Sequence, residues 1–410
     1  MSTTSPAPPL KTPNSRAILV LNSGSSSLKF ALFDATAALP LRYRGAVARI
    51  GLNDSRWRVS DATGRVLLDE TAAITDHPAA LERVLAFCDS ISPRTLLIAA
   101  GHRVVHGGGR SAPMPIDPPL LADLQGLEPL APLHQVHNLA GIRALATARP
   151  GLFQVACFDT AFHQTLPRLA TLTALPRHLT EQGIRGYGFH GLSYEYVVSA
   201  LRASGVAVAA ERIIIAHLGN GASLCALRDG QSIATSMGFS TLSGLVMGSR
   251  CGDLDPGILL YLQQRLGLGL EALQHLLYEE SGLLGVSGLS RNMQDLLARP
   301  DLPAAVEAVE LFCYRARAQL AALTASLGGL DRIVFTAGIG AHSPEIRERI
   351  CAGFDYLGVR LDQARNRDGA RLISADDSAV AVEALATDEE RMIARHVGRL
   401  LDPHSPSPEG

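Results

Sequence analysis

Two stretches, LNSGSSSLKFALFD (21–34) and HLGNGASLCALRD (217–229), share an order of residues that predicts the architecture of the chain. Each leaves an apolar run, turns through small residues, and returns through Ser-Leu, Ala-Leu and Asp. This pattern is typical of two antiparallel strands joined by a tight turn. Two such hairpins, roughly 195 residues apart, suggest two related halves. Coincidence is the other interpretation, because Gly/Ser turns between apolar strands are common.

Strand-like and helix-like segments alternate along the rest of the chain. The alternation predicts an α/β protein, and a length of 410 residues predicts two domains. Short apolar runs predict strands at 17–22, 153–157, 213–217 and 332–336. Apolar residues at helical spacing predict amphipathic helices at 257–277 and 304–327.

The composition excludes several classes of protein. Apolar residues make up 47% of the chain and charged residues 19%, which indicates a sizeable core and excludes wholesale disorder. No long uninterrupted apolar run occurs, so no membrane span is predicted. With 37 basic and 39 acidic residues, nothing favours nucleic acid or an anionic membrane as a partner. Residues 1–15 and 403–410 are rich in Pro, Ser and Thr, and are predicted to be disordered tails.

The cysteines predict a reduced, cytosolic, soluble protein, because they lie far apart and form no CxxC pair. They are Cys88, Cys157, Cys225, Cys251, Cys313 and Cys351. The chain also contains only two lysines, Lys11 and Lys29, against 35 arginines. A lysine inside a structured motif is therefore a residue that the motif requires.

Three glycine-rich turns follow predicted strands. The first, 22–27 (NSGSSS), offers hydroxyls and backbone N–H groups that can cradle phosphate, with Lys29 just beyond it. A flexible hairpin turn is the alternative for this segment. The second is His217–Gly221, and the third is Ala337–Gly340, which runs into Ser343 and Pro344 as a predicted helix start. A helix N-terminus is a natural anion site, so three such turns favour phosphate binding.

Two glycine-flanked loops each present an arginine. Arg103 lies in GHRVVHGG and Arg250 in GSRCGDLD, and both suit bidentate capture of a carboxylate or phosphate. Asp255, followed by Pro256, fits the N-cap of a helix. Asp253 could steady Arg250.

Acidic and imidazole side chains mark further candidate positions. Asp159 follows a predicted strand, at the end where α/β proteins bind ligands, and His190 lies in a glycine-rich loop before Ser193, the expected helix cap. A capping aspartate and a buried histidine are the alternatives. His102, His106, His134 and His137 have HxxxH and HxxH spacings that could suggest a metal, but structural hydrogen bonding is favoured because glycines argue against a helix around the first pair.

Eight ordered motifs resemble the acetate kinase family of short-chain acyl kinases, over about residues 17–400. They are LNSGSSSLKF, GHRVVHGG, FDTAFHQTLP, YGFHGLS, AHLGNGASL, MGFSTLSGLVMGSRCGDLDPG, FTAGIG and ATDEE. This family belongs to the actin, Hsp70 and sugar-kinase superfamily. The resemblance implies two duplicated ribonuclease-H-like domains with a nucleotide cleft between them, at 16–160 (with 391–402 packing back on it) and 161–390.

The resemblance also implies an activity: reversible Mg²⁺-dependent phosphoryl transfer between ATP and acetate, in a cytoplasmic homodimer. It assigns Asp159, His190 and Arg250 to the transferring phosphoryl group, Asn22 and Glu389 to Mg²⁺ (or Mn²⁺), and Arg103 to the substrate carboxylate. The acyl pocket would be Val105, Leu133 and Phe189. The nucleotide would bind Lys29, His217, Leu218, Gly219, Asn220, Gly221, Asn292, Met293, Gln294, Gly338, Ile339, Gly340, Ala341 and His342.

The sequence departs from the family pattern at two kinds of position. Around the nucleoside, Asn292-Met293-Gln294 stands where the family has Asp-Phe-Arg, and Ala341-His342 stands where it has Glu-Asn. Around the acyl group, Thr241 replaces proline and Ser243 replaces glutamate. Base selectivity and acyl preference are therefore open.

Four alternatives compete with acetate kinase. They are a propionate or butyrate kinase, a relative that uses GTP or pyrophosphate as donor, an ATP-gated binding module of the Hsp70 type, and a metallohydrolase built on the histidines. The Hsp70-type module is disfavoured because it needs neither Arg103 nor Arg250.

Overall fold

An eight-stranded mixed sheet forms the first half of the molecule. The computed structural model describes residues 15–24, 26–91 and 95–402, so the predicted tails lie outside the described residues, apart from Ser15. The sheet order is β5-β4-β3-β2-β1-β6-β8-β7. Its strands are β1 (Ser15–Ser23), β2 (Ser27–Asp34), β3 (Leu41–Ala48), β4 (Ser55–Asp61), β5 (Val66–Ala72), β6 (Thr95–Val104), β7 (Met114–Pro115) and β8 (Phe153–Phe158).

A five-stranded sheet in the second half repeats the central order of the first. Its order is β11-β10-β9-β12-β13, with β9 to β11 antiparallel, and β12 parallel to both β9 and β13. In the first sheet β1 to β3 are likewise antiparallel, and β6 is parallel to both β1 and β8. Both predicted hairpins are confirmed, and the protein has the duplicated α/β fold. The second-half strands are β9 (Ile213–Leu218), β10 (Ala222–Arg228), β11 (Gln231–Thr235), β12 (Arg332–Thr336) and β13 (Ala381–Ala384).

Helices cover both sheets. Among the described residues none of them is both long and apolar enough to cross a membrane. They are α1 (His77–Ile91), α2 (Pro118–Gly126), α3 (Pro132–Ala148), α4 (Arg168–Thr171), α5 (Arg177–Glu181), α6 (Gly191–Ala203), α7 (Pro256–Leu266), α8 (Leu270–Glu279), α9 (Gly282–Ser287), α10 (Met293–Leu297), α11 (Pro303–Leu327), α12 (Ala337–His342), α13 (Pro344–Cys351), α14 (Gln363–Arg367) and α15 (Glu389–Leu401).

Two helix predictions were wrong in detail. The helix expected over 257–277 is divided into α7 and α8, because Gly267 takes φ 66° and ends α7. Ser193 does not cap α6, since the helix already begins at Gly191 and the N-cap position is His190. Ser193 is therefore free to use its hydroxyl inside the molecule.

The last helix, α15, returns to the first sheet. Its apolar face packs on β1 and β6, so the chain crosses back after completing the second sheet. At Gly101 a Cβ atom would collide with the Cγ2 atoms of Ile393 and Val397, so the glycine allows α15 to approach β6 closely. The crossing brings the start of α15, at Glu389, beside the carboxyl ends of β6 and β8.

Candidate active site

The carboxyl ends of β6 and β8 hold a buried ion pair. Arg103 Nη2 lies 2.5 Å from Asp159 Oδ2, and Arg103 Nε lies 3.1 Å from both oxygens of the same carboxylate. Glu389 of α15 adds a second carboxylate, 3.8 Å from Arg103 Nε. The side chain of Asp159 is only 1% exposed, so water does little to weaken this pair.

Burial and charge act in opposite directions on these groups. Burial raises the pKa of Asp159, and the positive charge of Arg103 opposes that rise. Burial alone would lower the pKa of Arg103, but Asp159 and Glu389 outweigh it and raise the pKa. The guanidinium therefore stays charged and is oriented by two acids.

Two stacked histidines form the next layer of the site. The rings of His190 and His217 lie 4.1 Å apart between centroids and are nearly parallel. His217 is the second-last residue of β9, whereas His190 precedes α6 in a left-handed conformation (φ 61°). A non-glycine residue in that region costs free energy, and such strain concentrates at functional sites. The carbonyl of Asp159 accepts a hydrogen bond of 2.9 Å from Gly191 N, which fixes this turn against β8.

Both imidazoles are held neutral. Burial, followed by the nearby Arg103, lowers the pKa of His217 to about 3. Burial and then the neighbouring His217 lower the pKa of His190 well below its ordinary value. Neutral rings can donate a hydrogen bond to an anion from one nitrogen without forming a charged pair.

Arg250 faces the same space as a cation that makes no ion pair with any described residue. Its Nη1 donates to the carbonyl of Thr241 at 2.7 Å. Burial lowers the pKa of Arg250 to about 10, and the charge of Arg103 adds to this. A Cβ atom on Gly221 would lie 2.6 Å from Arg250 Nη2 and 3.0 Å from His190 Nε2, so glycine lets both side chains reach the turn after β9.

The acids downstream of Arg250 have structural roles. Asp255 Oδ1 accepts from Gly257 N at 2.7 Å and caps α7, as one interpretation of the sequence predicted. The suggestion that Asp253 steadies Arg250 was wrong, because its oxygens accept from Gly244 N (2.7 Å) and from the Nε2 of Gln319 (2.8 Å). The positive charge of Arg250 is thus left for a ligand.

An apolar wall adjoins these charges. Val105 and Phe189 are 2% and 1% exposed and belong to one buried cluster, which joins the end of the first sheet to the second half. Thr241, one of the departures from the family pattern, is 6% exposed, and its carbonyl accepts the hydrogen bond from Arg250. Leu133 lies in α3, and its side chain is outside the described part of the structure.

Helix α3 contributes polar side chains whose importance the sequence reasoning missed. Asn138 accepts from Val105 N (3.0 Å) and donates to the carbonyl of Ser23 (2.7 Å), so it ties both loops to the helix. Gln135 accepts from His106 N and donates to its carbonyl. His134 has a buried Nδ1 that, among the described residues, makes no hydrogen bond. The cluster HQVHN (134–138) was the available signal, but only its two histidines were weighed, as metal ligands or structural residues, and Gln135 and Asn138 were not.

The histidines considered for a metal lie in different environments. His102 Nε2 pairs with Gln154 at 2.8 Å, His106 contacts Tyr187 edge-on, and His137 stacks on His77. Burial, followed by Arg250 and Arg103, lowers the pKa of His134 to about 3. Within 15–24, 26–91 and 95–402, no group of three His, Cys, Asp or Glu residues is placed to hold a metal.

Asn22 and Lys29 lie on either side of the first glycine-rich turn, and they are direct partners in the β1–β2 register. Strand β6 runs beside β1, which places Asn22 near Arg103. Lys29 is exposed and lines a cavity of about 270 Å³ with Arg44, Arg58 and Glu390 among its walls. The turn itself is closed by Gly24 N donating to the carbonyl of Ser27.

The segments assigned to the nucleoside are more open. Asn292 caps α10 and is exposed, as is Gln294, whereas Met293 is 3% exposed and packs in the second-half core. The third glycine turn was predicted to lead into a helix that starts at Ser343 and Pro344. Instead, a helix already begins directly after β12: α12 starts at Ala337 and includes both glycines of the turn. The Ser343 side chain makes no capping hydrogen bond to α13.

This arrangement matches a known family. The acetokinase family model matches residues 17–395. An acetate kinase of Rhodopseudomonas palustris is 50% identical over 396 residues, covering 95% of this chain and 99% of the relative. The chain belongs to the acetokinase family. Its members transfer a phosphoryl group to a carboxyl acceptor, with ATP and ADP as co-substrates.

Solved structures of this family share the fold. The acetate kinase of Porphyromonas gingivalis is 35% identical and superposes with a TM-score of 0.84, covering 95% of this chain and all of that one. A propionate kinase of Francisella tularensis, also 35% identical, gives a TM-score of 0.87 and covers 93% of this chain and 98% of that one. The two similarities do not separate acetate from propionate.

Proposed function

We propose that this acetokinase transfers the γ-phosphoryl group of ATP to acetate in an Mg²⁺-dependent, reversible reaction. One observation carries the proposal: a buried cation, Arg250, makes no ion pair with any described residue, and it faces a neutral histidine pair and the Arg103–Asp159 pair. Such a site lacks a strong base, and a carboxylate acceptor needs none because it is ionised at neutral pH.

Arg103 binds the acceptor carboxylate in this proposal. The guanidinium is already oriented by Asp159, and Glu389 is 3.8 Å away. Fixing the orientation before the substrate arrives reduces the entropy lost on binding. Val105, Leu133 and Phe189 then surround the short acyl chain, and the buried Thr241 limits its length.

His190 and Arg250 act on the phosphoryl group as it moves. A metaphosphate-like transition state spreads charge over three oxygens, so fixed donors stabilise it. Arg250 supplies charge and His190 supplies an N–H donor, and Gly221 allows both to reach the same point. Asp159 serves as the partner of Arg103 and not as a base.

The nucleotide and its metal occupy the facing wall. The N–H groups of His217–Gly221 and the Lys29 ammonium bind the phosphates, and 292–294 and 338–342 surround the nucleoside. Asn22 and Glu389 offer an amide oxygen and a carboxylate, the hard ligands that Mg²⁺ prefers when substrate phosphates complete its shell. When bound, the ion would neutralise charge that develops on the β- and γ-phosphate oxygens.

Three further features belong to the proposal. The domain limits 16–160 with 391–402, and 161–390, are supported by the two sheets and by the packing of α15. A cytoplasmic location is supported by six free cysteines.

A homodimer is supported by α7, which buries none of its residues and exposes apolar side chains including Leu260, Tyr261 and Leu266. Light scattering with the variant Leu260→Glu tests the last point, and a dimer that persists in this variant would exclude α7 as its interface.

The test of the reaction is a matrix of phosphoryl donors against short carboxylates. Acyl phosphate is trapped as the hydroxamate, with ATP, GTP and pyrophosphate each supplied to acetate, propionate and butyrate. The expected result is a highest kcat/KM for acetate with ATP, and no product without Mg²⁺ or Mn²⁺. Absence of acyl phosphate under every combination would contradict the proposal.

Propionate is the second candidate acceptor. A threonine at 241 presents a side chain of similar size, but unlinked to the backbone nitrogen and carrying a hydroxyl, where the family has proline, and one structural relative is a propionate kinase. One additional methylene is worth only about 1–3 kcal/mol in an apolar pocket, so the two acceptors can differ by as little as tenfold. A kcat/KM for propionate above that for acetate would reverse the assignment.

A further inference from the structure

Behind His190 a chain of two hydroxyls leads into the core. His190 Nδ1 lies 2.8 Å from Ser223 Oγ, and Ser223 Oγ lies 2.5 Å from the hydroxyl oxygen of Tyr194. Tyr194 and Ser223 are both 0% exposed, so neither hydroxyl can exchange its partner for bulk water. Tyr194 is the fourth residue of α6, three residues after Gly191, whereas Ser223 belongs to β10.

The direction of this chain follows from the number of partners. Among the described residues, the Tyr194 hydroxyl has one hydrogen-bond partner, Ser223. If His190 Nδ1 carried the proton, Ser223 would accept it and donate to Tyr194, and the buried phenol hydrogen would then have no acceptor. In the opposite direction Tyr194 donates to Ser223 and Ser223 donates to Nδ1, so every hydrogen is used. A buried unsatisfied donor is costly, which favours the second direction.

We infer that Tyr194 and Ser223 are positioning residues that hold His190 in the tautomer with the proton on Nε2. The inference rests on the proposed role of His190 at the phosphoryl group. Nε2 is the nitrogen nearest Gly221 and the Arg250 guanidinium, so this tautomer directs an N–H donor at the place where the phosphoryl oxygens must lie. The other tautomer would present a lone pair there and repel them.

His217 is held in the same manner by a different serine. Its Nδ1 lies 2.8 Å from Ser193 Oγ, and His217 is the only hydrogen-bond partner of the Ser193 hydroxyl among the described residues. Ser193 therefore donates to Nδ1, which leaves the proton of the second ring on Nε2 as well. Ser223 and His217 are also direct partners in the β9–β10 register, so one hairpin and one helix hold both rings.

Nitrogen-15 spectroscopy of the full-length protein tests the tautomer directly. A protonated and an unprotonated nitrogen of a neutral imidazole have well separated chemical shifts, and His190→Gln identifies the His190 signals among those of 13 histidines. At neutral pH the expected state has Nε2 protonated and Nδ1 unprotonated. Tyr194→Phe frees Ser223 to rotate, so the Nδ1-protonated form should become populated. A wild-type ring protonated on Nδ1 would overturn the inference.

Kinetics separate positioning from structural support. Tyr194→Phe and Ser223→Ala should each lower kcat by roughly ten- to hundredfold, less than the roughly hundred- to thousandfold lost when an oxyanion donor is removed outright, while the KM for acetate changes less than about twofold. The double variant removes both hydroxyls and should regain thermal stability relative to Ser223→Ala, because the phenol is no longer left unpaired, yet its kcat should stay low.

A matched control lies on the same helix. Tyr196→Phe removes a phenol hydroxyl two residues away, and its kcat and His190 signals should remain those of the wild type. A wild-type kcat in Tyr194→Phe would contradict the positioning role. If no acyl phosphate forms in any variant or in the wild type, the proposed function fails, whereas the nitrogen-15 spectra still decide the tautomer.

Discussion

The two walls of the cleft are built in different ways. The wall proposed to bind the acceptor (Arg103, Asp159, His190 and Arg250; the acceptor wall) is enclosed, and its imidazole and carboxylate are each less than a tenth exposed. The nucleoside wall (292–294 and 338–342) places Asn292, Gln294, Gly338 and His342 at the surface. Every member of the acceptor wall follows the family pattern, and the nucleoside wall holds two of the departures.

This difference follows from what each wall must bind. Charge stabilisation is strong only where water is excluded, so each residue of the acceptor wall depends on its neighbours and a change at one disturbs the rest. A base and ribose can be held by adaptable surface contacts. We therefore expect changes in the acceptor wall to cost far more than changes in the nucleoside wall.

The largest expected effect is the loss of an arginine from the acceptor wall. Arg250→Ala and Arg103→Ala should each lower kcat/KM by roughly two to four orders of magnitude, as for other charge clamps in phosphoryl transfer. Arg250→Ala should act mainly on kcat, and Arg103→Ala mainly on the KM for acetate. Steady-state kinetics with acetate and ATP measure both.

Stability should distinguish the same two variants. Arg103→Ala leaves the buried Asp159 without its partner, which costs about 3–5 kcal/mol, whereas Arg250→Ala strands no carboxylate. Arg228→Ala is the matched control, because Arg228 also donates to a single carbonyl, that of Leu327, but outside the cleft. Near-wild-type activity in either cleft variant would refute the assignment of this wall.

Acid should destabilise the protein through its buried histidines. Burial lowers the pKa of His102, His106 and His163 to about 4 and, with nearby arginines, that of His134 and His217 to about 3. The unfolded chain binds these protons near pH 6.5, so stability is lost as the pH falls from about 6.5 towards 4. Each histidine contributes up to about 1.4 kcal/mol per pH unit in that window. Denaturant unfolding at pH 7 and 5 measures the slope, and equal stability at both would be inconsistent with neutral buried rings.

Much of the fold was predictable because its signals are local. The hairpins at 21–34 and 217–229 and the strand at 332–336 depend on apolar runs and small-residue turns, and the structure contains each of them. The division between α7 and α8 was missed because Gly267 fits a helical pattern until its φ is known. The return of α15 to the first sheet is a tertiary contact, and the sequence alone carried it only through the family resemblance.

The site was less predictable for a related reason. Arg103, Asp159, His190 and Arg250 could be found as charged or imidazole groups in glycine-rich loops, but their mutual contacts could not. The roles of Ser193 and Ser223 were hidden because a serine in a helix or strand has no distinctive pattern. Only the contact between Ser193 and His217 shows that this serine supports a ring rather than capping a helix.

A smaller effect is expected at the boundary between the two walls. Lys29→Arg should lower kcat/KM for ATP by roughly tenfold, about 1.4 kcal/mol, because a planar guanidinium cannot replace a compact ammonium. Lys29 shares its cavity with Arg44 and Arg58, so Arg58→Lys is the matched exchange in the opposite direction and should have no effect. Full activity of Lys29→Arg with an unchanged KM for ATP would show that scarcity of lysine was a misleading signal.

The smallest effect is expected from exchanging the base. Relative to the family pattern, 292–294 lacks a guanidinium that could stack on adenine, a contact worth about 0.5–2 kcal/mol. Met293 cannot replace it, because that side chain packs in the core, and the exposed Asn292 is already used to cap α10. The turn His217–Gly221, which we propose binds the phosphates, keeps the family sequence, so we expect the nucleotide to be held mainly by its phosphates. ATP and GTP should therefore differ by less than tenfold in kcat/KM, or about 1.4 kcal/mol.

Introducing Gln294→Arg should raise the preference for ATP without changing the KM for acetate. A wild-type preference for ATP beyond a hundredfold would show that the open wall selects the base by contacts outside 292–294.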